Sequence, residues 1–62
     1  MDNSVAERRR QRGWTQADLA AKVEVSRQTI VSIERGKYDP SLPLAFALAH
    51  VFGVTIEKLF TP

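Results

Sequence analysis

The sequence contains no cysteine and only one histidine, His50. The lack of cysteine excludes disulfide bonds, and a single histidine leaves almost no ligands for a zinc site. No apolar run approaches the roughly 18 residues that a membrane span requires, and the N-terminus lacks the pattern of a signal peptide. We therefore expect a cytoplasmic protein that binds no metal and no cofactor. The absence of cysteine also fits a reducing compartment.

The chain has 62 residues, which suffices for one small domain spanning residues 1–62. A domain of this size buries only about 60% of the surface that its unfolded chain exposes, so its stability is marginal. Small domains usually gain support from a disulfide, a metal or a partner subunit. Because the first two are excluded here, a partner subunit is expected.

Charge is unevenly distributed along the chain. Residues 1–37 hold eight Lys or Arg against five acidic residues, whereas residues 38–62 hold one Lys against two. The basic part is N-terminal and the apolar part is C-terminal. This asymmetry favours a molecule that contacts phosphate with one end and protein with the other.

Residues that begin and end helices divide the chain clearly. Thr15, Ser26 and Ser41 can each cap a helix N-terminus, Thr55 opens the last helix, and glycines at positions 13, 36 and 53 end helices. No alternating segment is long enough to predict a strand. The sequence predicts an all-α fold of five short helices, at about residues 4–12, 15–23, 26–35, 41–52 and 55–60.

The apolar pattern assigns a buried side to three of these helices. Leu19, Ala20 and Val23 share one face of the second, and Ile30 and Ile33 share one face of the third. The fourth is apolar almost all round, so we expect both of its sides to be covered. Its predicted core stripe is Leu42, Ala45, Phe46, Ala49 and Phe52, and its other side holds Leu44, Ala47 and Val51.

The third helix carries the most informative pattern. At 100° per residue, five residues that include arginine, glutamine and serine lie within about 140° of one another, opposite the isoleucines. Arg pairs bidentately with guanine and Gln with adenine, and Val can meet a thymine methyl. A helix, a tight turn and a second helix over residues 15–35 form the motif that presents such a face to DNA. The five residues are Arg27, Gln28, Val31, Ser32 and Arg35.

The run GWTQADLAAKVEVSRQTIVSIERGKYDPS resembles the Xre/Cro family of phage-repressor-like helix-turn-helix domains. The pattern around SRQTI and GKYDPSL is similar to very short bacterial regulators such as cytolysin regulators. The resemblance covers about residues 5–60. It implies a lambda-repressor-like five-helix fold, double-stranded DNA as the partner, and transcriptional regulation by a nucleoid-associated protein of bacterial, archaeal or phage origin.

The resemblance also implies roles for individual residues. Gln16 matches a residue that contacts phosphate and braces the recognition helix, and Arg9 with Glu34 matches a structural ion pair. Glu24 stands where the broader family often has Gly, and Arg8 where many relatives have Leu. The full set of candidate DNA-binding residues is Thr15, Gln16, Ser26, Arg27, Gln28, Thr29, Ser32, Arg35, Lys37 and Tyr38.

The apolar C-terminal third predicts a homodimer, which would bind a palindromic operator and most simply act as a repressor. A two-fold pair of domains doubles the contacts of one small domain with DNA. The candidate interface residues are Leu44, Val51, Ile56 and Phe60.

Several interpretations stay open at this point. Arg10 and Arg12 are either phosphate ligands or part of a solvated helix face, and Tyr38 is either a phosphate donor or simply exposed. Trp14 is expected to pack rather than stack on a base, and His50 to lie on the surface. A protein-interaction module, such as an antitoxin or a bridging adaptor, is the alternative function, although antitoxins usually carry a further segment that we do not expect here. An enzyme is not expected, because no nucleophile–base pair or phosphate-binding glycine loop is present.

Overall fold

The computed structural model describes residues 1–61 and contains five helices and two very short strands. Each predicted helix is present, with its capping residue lying just outside the hydrogen-bonded turns. The elements in chain order are β1 (Asp2–Asn3), α1 (Val5–Gln11), α2 (Gln16–Lys22), α3 (Arg27–Glu34), α4 (Leu42–Phe52), α5 (Ile56–Leu59) and β2 (Phe60–Thr61).

The predicted caps explain three of the helix starts. Thr15 and Asp18 form a reciprocal capping box, in which the Thr15 hydroxyl accepts from the Asp18 N–H at 3.0 Å and the Asp18 carboxylate accepts from the Thr15 N–H at 2.9 Å. These hydrogen bonds hold the pKa of Asp18 below its ordinary value of 3.8. Ser26 and Ser41 cap α3 and α4 through their hydroxyls. At Ser4 and Thr55 the side chain makes no such cap.

One strand pair was not predicted. β1 and β2 run antiparallel, with Asp2 opposite Thr61 and Asn3 opposite Phe60. Strands of two residues are too short to show an alternating pattern, and the pairing joins the two ends of the chain. Asn3 also donates from Nδ2 to the Ile33 carbonyl at 2.8 Å and accepts from the Val5 N–H at 3.1 Å. The N-terminal strand therefore ties the start of α1 to the end of α3.

A single apolar core takes residues from all five helices. Leu19, Ile30 and Ile33 are fully buried, as predicted. α2 packs on α3, α1 packs on α3, and α4 packs on α5. The largest fully buried side chains are Val5, Leu19, Ile30, Ile33, Leu48 and Leu59.

The predicted core stripe of α4 was partly wrong. Leu42 and Phe46 are 65% and 58% exposed, whereas Leu48, which was not predicted, is fully buried. The observed stripe is Ala45, Leu48, Ala49 and Phe52, with the i, i+3, i+4, i+7 spacing of one helix face. Because α4 is apolar nearly all round, its hydropathy alone does not define which side faces the core.

Candidate nucleic-acid interface

The turn between α2 and α3 fixes the angle at which α3 is presented. The Val25 N–H donates to the Ala20 carbonyl at 3.0 Å, and Glu24 adopts a left-handed conformation with φ of 59°. A residue with a Cβ costs about 1 kcal/mol more than Gly in that region. Glu24 thus occupies the strained turn position where the resemblance led us to expect Gly.

α3 has one buried side and one displayed side. Ile30 and Ile33 are fully buried, whereas Arg27, Gln28 and Arg35 are exposed. Val31 and Ser32, on the same displayed side, are half-buried. The five residues that the helical wheel grouped together therefore do form one solvent-accessible face.

A polar concavity of about 480 Å³ lies on one flank of this face, between α3 and α1. Three guanidinium groups line it, from Arg10 on α1, from Arg27 at the start of α3 and from Arg35 just after its end. Gln16 and Gln28 also line it, and the Glu34 carboxylate is the one acidic group there. The arrangement offers several hydrogen-bond donors and an excess of positive charge to an anionic ligand.

A second, shallower concavity of about 190 Å³ lies on the other flank. Its lining is rich in hydroxyl groups and lacks charged side chains. Gln28 lines both concavities and therefore marks the ridge between them. The lining residues are Ser26, Gln28, Thr29, Ser32 and Tyr38.

A hydrogen-bonded network supports the displayed face from within. Arg9 donates from Nε to Glu34 Oε2 at 2.7 Å and from a terminal nitrogen to Oε1 at 3.2 Å. Gln16 donates to the same Oε1 at 3.1 Å, and its own carbonyl accepts from Arg27 at 3.3 Å. The buried ion pair is thus linked through Gln16 to the first residue of α3.

The side chains of Arg9 and Glu34 are both buried, at 10% and 7% exposure. The hydrogen bonds from Arg9 to Glu34 raise the pKa of the guanidinium above its ordinary value, against the opposing effect of burial. Arg9 also donates to the Trp14 carbonyl at 2.8 Å, which fixes the loop between α1 and α2. The pair that the resemblance implied is therefore present, and it ties three segments together.

The other residues of the arginine cluster have separate roles. Arg12 donates to the Phe52 carbonyl at 2.8 Å and lies over the rings of Trp14 and Phe52. Trp14 stacks against Phe52 and packs on the core, as expected. Arg12 therefore points to Trp14 and Phe52 and does not line the concavity beside α3. Of Arg10 and Arg12, the two arginines whose role was left open, only Arg10 lies on the displayed side.

The remaining candidate contacts lie around the edge of the face. Thr15 and Lys37 are exposed and line neither concavity, whereas Tyr38 is 47% exposed and lines the second one. Sequence reasoning left Arg10 open between a phosphate ligand and a solvated helix face. The spacing of α1 alone does not show which of its arginines faces α3.

The predicted dimer residues line neither of the two concavities. Leu44, Val51 and Ile56 are half-buried and pack against the core from outside. Phe60 is only 7% exposed, because it is part of the core of the single chain. Met1, Ile56, Glu57 and Phe60 line an apolar groove of about 290 Å³.

Two negative findings apply to residues 1–61. None of their helices is long and apolar enough to cross a membrane. No three His, Asp or Glu side chains in that range are arranged to bind a metal ion, and His50 is exposed.

The amino-acid sequence is similar to those of several transcriptional regulators. A regulator from Methanocaldococcus jannaschii, the uncharacterized HTH-type transcriptional regulator MJ0272, is 57% identical over 60 residues, covering 97% of this chain and 91% of its own length. The uncharacterized regulator YgzD of Bacillus subtilis is 42% identical over 60 residues, covering 97% of this chain and 91% of its own length. The immunity repressor protein of Bacillus phage phi105 is 37% identical over 51 residues, covering 82% of this chain and 35% of its own length.

Solved structures show the same fold. The restriction-modification controller protein C.AhdI of Aeromonas hydrophila superimposes with a TM-score of 0.81 at 28% identity, over 90% of this chain and 85% of its own. The model of the helix-turn-helix family HTH_3 matches residues 5–59. The chain belongs to this helix-turn-helix family of transcriptional regulators.

Proposed function

We propose that residues 1–62 form one domain that binds a specific double-stranded DNA sequence, with α3 in the major groove. The displayed face of α3 carries this proposal. Its first turn presents Arg27 and Gln28, whose side chains match the hydrogen-bonding edges of guanine and adenine. A helix in the major groove lies between two sugar-phosphate backbones. The concavities on the two sides of α3 leave space for one backbone each.

The internal network supports base recognition because it limits the freedom of Arg27. A guanidinium that is already held by Gln16 loses less conformational entropy on binding than a free one. Gln16 itself remains half-buried at the start of α2, where a helix N-terminus favours a phosphate. Thr15, Ser26, Thr29, Lys37 and Tyr38 are the further backbone contacts of the proposal.

The working unit of the proposal is a homodimer on a palindromic operator. Leu44, Val51 and Ile56 are apolar side chains that the single chain leaves only half-buried, and Phe60 lines a groove together with Ile56. A two-fold axis would place two copies of α3 about one DNA turn apart, or roughly 34 Å. Repression in the cytoplasm is the simplest outcome, because occupancy of a promoter suffices; a phage immunity repressor is among the relatives.

Substitution of the two base-contacting residues tests the proposal. The operator for this test is the sequence that the wild-type protein enriches from a random duplex library, called the selected operator below. We expect Arg27→Ala and Gln28→Ala each to lose about 1–3 kcal/mol of binding free energy on the selected operator and much less on random duplex DNA. Lys58→Ala, which removes an exposed cation from α5, is the control and should leave the ratio between the two DNAs unchanged. Titrations by fluorescence anisotropy would measure this. Equal losses on both DNAs would remove the base-reading role.

A further inference from the structure

The two flanks of α3 differ in chemistry, and the difference points to a DNA contact made by α1. One flank carries Arg10, Arg27 and Arg35, whereas the other carries hydroxyl groups. A helix in the major groove, which is about 12 Å wide, has one sugar-phosphate backbone on each side. Each concavity therefore faces a different DNA strand in the proposed complex.

The charge of the first concavity is not balanced within the domain. Glu34 is the only acidic residue in its lining, and both of its oxygens already accept from Arg9. Three guanidinium groups therefore share the concavity with a carboxylate that is already neutralised. An anion beside α1 would relieve their mutual repulsion.

Arg10 differs from its neighbours in having no partner in the described chain. Arg8 donates to the Ser4 hydroxyl at 3.0 Å, and Arg12 donates to the Phe52 carbonyl at 2.8 Å. Among residues 1–61, no hydrogen bond or ion pair holds the exposed Arg10 side chain. Its guanidinium is free to bind a ligand at no cost in internal contacts.

We propose that Arg10 binds a backbone phosphate of the DNA strand that lies beside α1. This inference rests on the proposed function and adds a contact outside the helix-turn-helix motif itself. A phosphate is the expected ligand because Arg10 extends from α1, across the first concavity from Gln28 on α3. In the proposed complex the base edges lie next to Gln28, whereas a sugar-phosphate backbone passes next to α1.

The salt dependence of binding distinguishes this contact from others. Each phosphate contact contributes about 0.9 to the slope of log K against log salt concentration. Between 50 and 200 mM salt, the wild-type protein should therefore lose about 3.5-fold more affinity than Arg10→Ala. The effect should be the same on the selected operator and on random duplex, because a phosphate contact carries no sequence information.

Two matched variants distinguish a contact between Arg10 and one phosphate from a general effect of positive charge on DNA binding. Arg8→Ala removes the same charge from the same helix, but Arg8 lines neither concavity, so its slope should equal that of the wild type. Arg10→Lys should keep the wild-type slope, since a phosphate accepts any nearby cation. Methylphosphonate substitution of single phosphates should reveal one position that weakens the wild type but not Arg10→Ala.

Each contrary result overturns a distinct statement. Equal slope changes for Arg8→Ala and Arg10→Ala would show a general charge effect and refute the contact. A loss confined to the selected operator would make Arg10 a base-contacting residue instead. If the wild-type protein binds neither duplex, the proposed function itself is refuted, and the Arg10 contact falls with it.

Discussion

Glu34→Gln should lower the free energy of unfolding by about 3–5 kcal/mol, the cost of leaving a buried charge without its partner. The substitution keeps the shape of the side chain and removes its charge. The Arg9 side chain, only 10% exposed, would then lack its counter-ion. A domain of this size has a total stability of roughly 3–9 kcal/mol, so a large fraction of the variant should be unfolded. Urea denaturation followed by circular dichroism would measure this.

Two further variants make the result specific to the pair. Glu7→Gln removes an exposed carboxylate from α1 and should change stability by less than about 0.5 kcal/mol. The double variant Arg9→Met with Glu34→Leu should be more stable than Glu34→Gln, because it leaves no unpaired charge. A Glu34→Gln protein within 1 kcal/mol of the wild type would contradict the structural role given to the pair.

Ile56→Glu should convert the proposed dimer into a monomer. It places a carboxylate in the proposed interface, in the apolar groove that Ile56 lines with Met1 and Phe60. Ile56 is half-buried at the first position of α5, where an acidic residue is compatible with the helix, so the chain should still fold. Sedimentation should then give a single 7.0 kDa species, and affinity for a palindromic operator should fall on the order of a hundredfold, because the two half-sites are no longer bound by one joined unit.

Phe46→Ser is the control for this prediction. Phe46 is 58% exposed on α4, so its replacement removes an exposed apolar group while leaving the core and the proposed interface intact. We expect this variant to sediment as the wild type does. Dissociation by Phe46→Ser but not by Ile56→Glu would place the interface on the Leu42 and Phe46 side. A wild-type protein that is monomeric at micromolar concentration would refute the dimer.

Helices were predictable here because their ends carry strong local signals. The capping box at Thr15 and Asp18 and the serine cap of α3 depend on residues three positions apart, which the sequence shows directly. The buried faces of α2 and α3 were predictable for a related reason, since polar residues on the opposite side define the orientation of each helix.

Features that depend on distant parts of the chain were not predictable in this way. The β1–β2 pair joins residues nearly 60 positions apart and leaves no local pattern. The orientation of α4 is set by packing, because both of its sides are apolar. The directions of three neighbouring arginines at the end of α1 are likewise set by their surroundings: Arg9 points to Glu34, Arg10 to the concavity beside α3, and Arg12 to Phe52.

Selection of bound DNA from a random duplex library with the purified wild-type protein tests the central claim most directly. If α3 reads bases as half of a dimer, the enriched sequences should contain two inverted half-sites whose centres lie about one helical turn apart, or roughly 10 base pairs. Enrichment of a single, unrepeated site would contradict the dimer. A pool that stays random after repeated rounds would contradict sequence-specific recognition by α3 altogether.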